Sequence, residues 1–213
     1  MQIGILGSGD VAQTLAAGFI KHGHDVMLGT REPGKLAAFQ ERHPEVHVGS
    51  FADAARFAEL AVLAVKGSVA TKALALAGMP NLARKPVIDA TNPIAEFPPV
   101  KGVLRFFTNL DESLMERLQR AAPEVRFVKA FNSVGNACMV DPEFMGGRPS
   151  MFICGNDENA KLLVTGILTE FGWDAEDLGA AEAARAIEPL CILWCIPGFL
   201  QNDWVHAFKV LRP

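Results

Sequence analysis

The pattern of apolar and polar positions over residues 1–133 alternates between two kinds of segment. Short, nearly continuous apolar runs have the length of strands that are buried on both faces of a sheet. The longer segments between them repeat their apolar positions with the period of an amphipathic helix. The predicted strands are residues 3–6, 24–28, 45–48, 60–65, 87–90 and 127–130, and the predicted helices are residues 13–21, 33–42, 51–59 and 111–120. Strands that alternate with helices are typical of a parallel sheet with helices on both faces.

The second part of the chain continues this pattern after a stretch at 134–149 that contains Gly and Pro. Its predicted elements are a strand at 151–154, a helix at 159–171 capped by Asp157, a short strand at 173–178, and helices at 180–195 and 200–211. No linker or internal repeat interrupts the chain. We therefore predict a single α/β domain over 1–213, with a Rossmann-type, doubly wound and mainly parallel sheet. Its dinucleotide-binding core is 1–133, and the C-terminal extension 134–213 adds strands and helices that complete the sheet and the pocket.

A glycine-rich turn joins the first predicted strand to the first predicted helix. Its sequence, Gly7-Ser8-Gly9-Asp10-Val11-Ala12, has the GxGxxA spacing of a dinucleotide-binding turn. The first glycine allows the tight turn, the second lets a pyrophosphate approach the backbone, and the alanine keeps helix and strand close. The helix N-terminus supplies unpaired N–H groups and a positive dipole for the phosphates. We expect contacts to the dinucleotide from Gly7, Ser8, Gly9, Asp10 and Val11.

The end of the second predicted strand carries cations where a site for NAD would carry an acidic residue. The chain reads Gly29-Thr30-Arg31, and Lys35 follows about one helical turn later. Arg31 and Lys35 can pair with a 2′-phosphate, and Thr30 can add a hydroxyl donor, so these residues favour NADP(H) over NAD(H). The alternative is that Arg31 and Lys35 belong to a solvated loop and helix start. The neighbouring Glu32 could also neutralise Arg31.

Further candidate residues follow the carboxyl ends of three other predicted strands. In doubly wound sheets, ligands bind beyond these ends, near the point where the strand order reverses. We therefore expect the nicotinamide end of the dinucleotide to contact Val65, Lys66, Thr91, Asn92, Pro93, Phe131 and Asn132. Phe131 could form an apolar wall, and Asn132 could orient a carboxamide or a substrate carbonyl. The alternative is that Asn-Pro and Asn-Ser only form turns here.

Charge and hydropathy argue against two classes of partner. The chain has 20 Lys and Arg against 24 Asp and Glu, a net charge of −4 and no basic cluster, which argues against nucleic acid. The longest apolar run, 190–200, is about half as long as a membrane span, and we interpret it as a buried helix end. The N-terminus lacks the features of a signal peptide. A cytoplasmic protein is expected.

The cysteines and histidines predict no metal site. The four cysteines form no CxxC pair and have no metal-ligand spacing with the histidines. Cys191 and Cys195 share one helical face among apolar residues, where inert core thiols are favoured over a redox pair.

The residue types also limit the chemistry. The chain has no Tyr, which excludes the Tyr-Lys proton relay of short-chain dehydrogenases, and no room for the helical substrate domain of hydroxyacid dehydrogenases. It has no nucleophile elbow, P-loop or zinc motif, and we assign no catalytic side chain. Hydride transfer between a nicotinamide and a flavin-like ring requires mainly that the rings stack and that water is excluded. A site poor in acid and base groups suits that reaction.

Several strings together resemble the NADPH-dependent reductase family of the deazaflavin coenzyme F420. They are residues 3–12, Gly29-Thr30-Arg31, residues 61–65, Lys129-Ala130-Phe131-Asn132 and residues 153–157. The resemblance implies NADP(H) held by the glycine turn and by Thr30, Arg31 and Lys35. It also implies hydride exchange with a deazaflavin, and a homodimer. The same module is similar to the cytosolic part of metalloreductases, which reduce metal ions through bound flavin.

Two functions from different classes follow. The first is an NADP(H)-dependent oxidoreductase that transfers a hydride between NADPH and a flavin or deazaflavin, with coenzyme F420 or a flavin as co-substrate. The second is a non-catalytic NADPH-binding sensor or regulatory protein. A reductase of another small molecule is a further alternative.

Overall fold

The computed structural model describes residues 1–213 and contains eight strands and nine α-helices. The strands are β1 Gln2–Leu6, β2 Asp25–Gly29, β3 His47–Gly49, β4 Leu60–Leu63, β5 Pro86–Asp89, β6 Arg126–Lys129, β7 Ser150–Gly155 and β8 Asp174–Asp177. The helices are α1 Asp10–Lys21, α2 Ala37–Arg42, α3 Phe51–Phe57, α4 Ala70–Ala77, α5 Met79–Leu82, α6 Leu114–Ala121, α7 Glu158–Glu170, α8 Ala184–Ile187 and α9 Leu190–Gln201.

All eight strands form one sheet in the order β3-β2-β1-β4-β5-β6-β7-β8. Strands β1 to β6 are parallel, whereas β7 is antiparallel to β6 and β8 is parallel to β7. The chain first adds β2 and β3 on one side of β1 and then crosses to add β4 on the other side. The strand order therefore reverses between β1 and β4, where doubly wound sheets bind their ligands. This confirms the predicted Rossmann-type, mainly parallel α/β fold.

Two apolar layers cover the faces of the sheet, because successive side chains of a strand point to opposite faces. In β1, Ile3 and Ile5 belong to the layer that contains Leu15 and Phe19 of α1. Leu6 belongs to the opposite layer, which α3, α4 and α6 supply. All the apolar side chains of β4 are fully buried, as expected for a central strand.

The C-terminal extension is attached to α6 by ion pairs as well as by apolar packing. Ser113 caps α6, and its side chain and that of Glu116 form a capping box. The guanidinium of Arg185 donates from Nε to both carboxylate oxygens of Glu116, at 3.1 and 3.0 Å. These hydrogen bonds lower the pKa of Glu116 from its ordinary 4.5 to about 2. Glu188 accepts hydrogen bonds from the backbone N–H groups of Leu114 and Met115, at 2.9 and 3.0 Å.

The prediction of a last helix at 200–211 is wrong. Helix α9 ends at Gln201, the next residue, Asn202, has a left-handed φ of 57°, and no helix or strand follows. The chain reverses there because the indole of Trp204 packs against Gly198, where any side chain would overlap the ring. The tail then runs beside β7, since Ser150 N–H donates to the carbonyl of Phe208 at 2.8 Å. Apolar positions that could support a helix are used by an extended segment instead.

The apolar run 190–200 lies within α9, but the interpretation as a buried helix end is wrong for its outer face. Cys191 and Trp194 are buried, whereas Leu193 is 55% exposed and Leu200 is 59% exposed. The helical stretch Ala181–Gln201 is long and apolar enough to cross a membrane by length and composition, and about a third of it is buried in the fold. Because Arg185 and Glu188 within it form ion pairs with the core, we interpret it as part of this domain.

Other element boundaries differ from the predicted ones. The predicted helix 180–195 is divided between a 3₁₀ turn, α8 and α9. The sequence analysis does not predict α4 or α5, because the small alanine side chains of α4 give little contrast between apolar and polar faces, and α5 is only four residues long. The predicted helix 111–120 begins three residues later, at Leu114, where the capping box starts it.

We expect the substitution Glu116→Gln to flatten the acid dependence of stability. Glutamine can retain the capping box, but it loses the charged partner of Arg185. Because folding lowers the pKa of Glu116, its contribution is complete above its ordinary value of 4.5 and is lost as the pH falls towards 2. Above pH 5 the variant should be less stable by about 1–2 kcal/mol, since Arg185 is partly exposed and screened. Chemical denaturation at several pH values measures the free energy of unfolding of the wild type and the variant. A difference between the two that stays constant down to pH 2 would contradict this prediction.

Candidate functional site

The glycine turn between β1 and α1 forms the floor of the site. Gly7 has a φ of 150°, which favours glycine, and a side chain there would overlap the carbonyl oxygen of Ala64 at the end of β4. Gly9 caps α1, and a Cβ built on it meets no atom within 4 Å. The two glycines thus have different roles, because Gly7 allows close packing of strand ends and Gly9 leaves open space before the helix N-terminus. That space suits a phosphate.

Polar and cationic side chains lie at the end of β2, beside the glycine turn. The hydroxyl of Thr30, which is buried, donates to the hydroxyl of Ser8 at 3.2 Å and accepts from the N–H of Glu32 at 3.1 Å. Glu32 forms an ion pair with Lys35 at 2.9 Å, not with Arg31. The exposed guanidinium of Arg31 therefore stays available beside the groove. An anionic group such as a 2′-phosphate fits there.

A groove of about 780 Å³ runs from these cations along the carboxyl edge of the sheet. It brings together ten of the fifteen predicted site residues: Gly7, Ser8, Gly9, Asp10, Val11, Thr30, Arg31, Lys35, Val65 and Lys66. Its size is in the range of cofactor sites. The end of β1, the end of β2 and the end of β4 thus form one continuous surface, as the strand order requires.

A second cavity of about 310 Å³ continues the groove beyond β4 and β5. The two share Val65, Lys66, Ser68, Ala90 and Glu96. The second cavity also contacts Asn92, which is an eleventh predicted site residue. Its walls combine small apolar side chains with a polar and charged rim. A planar ring could therefore lie against the apolar part while its polar edge faces the rim.

Four predicted site residues do not line the groove or this cavity: Thr91, Pro93, Phe131 and Asn132. Phe131 is only 1% exposed and packs in the core near Phe171, at 6.2 Å between ring centroids, so it does not form the predicted apolar wall. The amide of Asn132 donates inside the protein, to the carbonyl of Ile187 at 3.0 Å and to Oδ1 of Asn92 at 3.3 Å. The expectation that strand-end residues line the site is not met for these four, because their side chains are buried in the fold.

Several residues that line the groove were not among the predicted site residues. The groove is also lined by Glu32, Phe51, Ala64, Ser68, Val69, Ala90 and Glu96. All of them follow the end of a strand by one to seven residues. This spacing could have predicted them as site residues, but many ordinary loop residues share it. Behind the groove lie Asp89, Lys129 and Glu188, all buried. For Asp89 and Lys129 the usable signal is a charged residue at the end of an apolar strand, because a buried charge needs a partner.

The cysteines lie away from the groove. All four are free thiols, and burial raises the pKa of Cys154 to about 12. Cys191 is buried and Cys195 is partly buried, one helical turn apart on α9. No group of three or more His, Cys, Asp and Glu side chains is arranged to hold a metal ion.

Comparison with known proteins identifies the family of this chain. Residues 2–93, from β1 to the turn after β5, match the family model described as NADP oxidoreductase, coenzyme F420-dependent. A solved structure from Arthrobacter sp. FB24, described as a candidate F420-dependent NADP reductase, is 36% identical, with a TM-score of 0.92. The alignment covers 99% of this chain and 99% of that chain.

Two further relatives are longer than this chain. Metalloreductase STEAP3 of Rattus norvegicus is 30% identical over 204 residues, which are 93% of this chain but 39% of that protein. A reductive aminase from Aspergillus terreus in complex with NADPH is 19% identical, with a TM-score of 0.67, over 94% of this chain and 62% of that chain. The aminase shares the fold only.

The Arthrobacter protein matches throughout its length, and the family model matches the part of the chain that forms most of the groove. The chain therefore belongs to the coenzyme F420-dependent family of NADP oxidoreductases.

Proposed function

We propose that the protein transfers a hydride between NADPH and a flavin or deazaflavin acceptor. The observation that carries this proposal is a groove with a free cation, Arg31, at one end and a second cavity at the other. A dinucleotide supplies the hydride when it is bound. The residues of this chain bind and orient the two partners, and none of them needs to exchange a proton with the acceptor ring.

The residues of the groove fit NADP(H). Open space in front of Gly9 and the N-terminus of α1 suits the pyrophosphate. Thr30 and Arg31, with Lys35 nearby, suit the 2′-phosphate. Only these polar groups are specific for the phosphate ester, because the glycine turn would accept NAD(H) equally well.

The second cavity supports a planar acceptor beside the nicotinamide end. Val65, Ala90 and Ala95 supply small apolar contacts, and Lys66 and Glu96 lie at the rim. Small side chains let two rings approach closely, which ring-to-ring hydride transfer requires. The relatives support the same class of acceptor, because one is described as F420-dependent.

We also propose that the protein is a cytoplasmic homodimer, with neither nucleic acid nor membrane as partner. The family resemblance implies the dimer, and the exposed apolar side chains Leu193 and Leu200 on α9 support it. The four free thiols support a reducing compartment.

We expect NADPH to be oxidised in the presence of an acceptor from this class. The assay follows the nicotinamide absorbance band while coenzyme F420, FMN, FAD and riboflavin are offered in turn. The expected result is turnover with at least one of them, with kcat/KM for NADPH roughly tenfold or more above that for NADH. Tight NADPH binding without turnover by any acceptor would instead support a sensor and would overturn the proposed reaction.

We expect Arg31→Ala to weaken NADPH binding while leaving NADH binding nearly unchanged. A charge-assisted hydrogen bond contributes about 1.5–3 kcal/mol, which corresponds to roughly ten- to hundredfold in Kd. Calorimetric titration of both nucleotides measures the effect. The matched control is Arg42→Ala, because Arg42 is exposed on α2 and does not line the groove. Equal losses for NADPH and NADH would contradict the assignment of the 2′-phosphate site.

We expect a charge on the exposed face of α9 to weaken the dimer. In a dimer formed by this face, Leu193→Lys would bury a charge without a partner, which is strongly unfavourable. Sedimentation or light scattering over a concentration series should give a mass near one chain for the variant and near two chains for the wild type. The control, Leu162→Lys on α7, changes another exposed leucine and should leave the mass unchanged. A monomeric wild type would remove this proposal.

A further inference from the structure

A buried ammonium group lies directly behind the second cavity. The side chain of Lys129, at the end of β6, is completely buried. Its Nζ contacts Asp89 Oδ2 at 2.7 Å and Glu188 Oε1 at 3.0 Å, and it donates to the carbonyl oxygen of Thr91 at 2.9 Å. Burial alone would lower the pKa of Lys129, but the two carboxylates outweigh it and raise the pKa. We call Lys129, Asp89 and Glu188 the Lys129 network.

The Lys129 network holds every polar group of Thr91, the second residue after β5. Asp89 Oδ1 accepts from the backbone N–H of Thr91 at 2.9 Å and from its hydroxyl at 2.6 Å. Lys129 donates a hydrogen bond to the third polar group of Thr91, its carbonyl oxygen. Thr91 is 1% exposed, so water does not compete for these bonds. The start of the turn after β5 therefore has one favoured conformation.

The next residue, Asn92, transmits this conformation to the cavity. Its Nδ2 donates to the carbonyl of Asn132 at 2.7 Å, and its Oδ1 accepts from Nδ2 of Asn132 at 3.3 Å. On the other side, the carbonyl of Asn92 lies so close to Gly67 that a side chain at that glycine would overlap it. Asn92 itself lines the cavity. Two contacts thus fix the wall of the cavity between β4 and β5. Lys129 bonds to the carbonyl of Thr91, and Gly67 packs against the carbonyl of Asn92.

Stability alone does not account for such a network. Removing three charged groups from water is costly, and well-packed apolar residues of similar volume often give an equal or higher stability. Apolar packing, however, does not direct a backbone turn, whereas the three N–H groups of an ammonium and the two oxygens of a carboxylate do. Lys129 and Asp89 direct bonds to all three polar groups of Thr91, which points to a requirement for the position of this turn.

We propose that Lys129 and Asp89 are positioning residues, which act through Thr91 and Asn92 to shape the wall of the second cavity, where the nicotinamide meets the acceptor ring. The proposal rests on the proposed NADP(H) function. It predicts that the network matters for the nicotinamide half of the cofactor and not for the adenosine half, because the latter is bound at the ends of β1 and β2. A purely structural role would affect both halves alike.

The test compares two ligands on the same protein: NADPH, and adenosine 2′,5′-bisphosphate, which lacks the nicotinamide half. The variant combines Lys129→Met with Asp89→Asn, which removes one buried charge of each sign, while the carboxylate of Glu188 keeps its hydrogen bonds from the N–H groups of Leu114 and Met115. Calorimetry should give a Kd for NADPH that rises roughly tenfold or more, while the Kd for the bisphosphate changes by less than about twofold. Retained bisphosphate binding also shows that the variant is folded.

The matched control is Lys161→Met. This substitution removes another buried ammonium, which pairs with Asp177 at 2.9 Å between α7 and β8 and does not contact the turn after β5. It should change neither Kd. If the double variant does not fold, Thr91→Val is the second test. It removes the hydroxyl that donates to Asp89 and leaves every charged group with its partner. It should raise the Kd for NADPH several-fold and spare the bisphosphate.

The outcomes separate this proposal from the function on which it rests. A wild type that binds neither ligand overturns the proposed NADP(H) function, and the positioning proposal with it. A wild type that binds both, with variants whose two Kd values change by the same factor or not at all, overturns the positioning proposal alone.

Discussion

The cofactor groove depends on how closely the backbone passes itself at the carboxyl edge of the sheet. Gly7 at the end of β1 leaves no room for a side chain beside the carbonyl of Ala64, and Gly67 after β4 leaves none beside the carbonyl of Asn92. These two contacts join the ends of β1, β4 and β5 without intervening side chains. A ligand at this edge therefore meets backbone and small side chains, as a flat cofactor requires. A side chain at either glycine would separate the strand ends.

The C-terminal extension completes this arrangement from behind. Glu188, just before α9, accepts from two N–H groups at the start of α6 and pairs with Lys129. The extension is thereby joined to β6 and α6 by directional bonds and not by apolar contact alone. Since β7 is antiparallel to β6, the chain returns along the sheet before it reaches Glu188. The core and the extension therefore share the region behind the site.

Much of the fold could be predicted from the sequence, because parallel strands buried on both faces leave a clear apolar signature and the glycine turn has a fixed spacing. The groove residues near Gly7 and Arg31 follow from the same local rules. The structure of the C-terminal tail could not be predicted, since its apolar residues are also compatible with a helix. The contact of Trp204 with Gly198, which ends α9, is not visible in the sequence pattern. The burial of Phe131 and Asn132 could not be predicted either, because the residues that contact these side chains lie far away in sequence.

The ion pair between Glu32 and Lys35 decides how many cations the 2′-phosphate corner offers. Both side chains are more than half exposed, and an exposed pair contributes about 0–1 kcal/mol. A charge-assisted bond to phosphate contributes more, about 1.5–3 kcal/mol, so Lys35 can leave Glu32 when an anion arrives. Arg31 needs no such exchange, because Glu32 does not pair with it. Glu32 therefore weakens the contribution of Lys35 and leaves Arg31 as the main determinant of the preference for NADP(H).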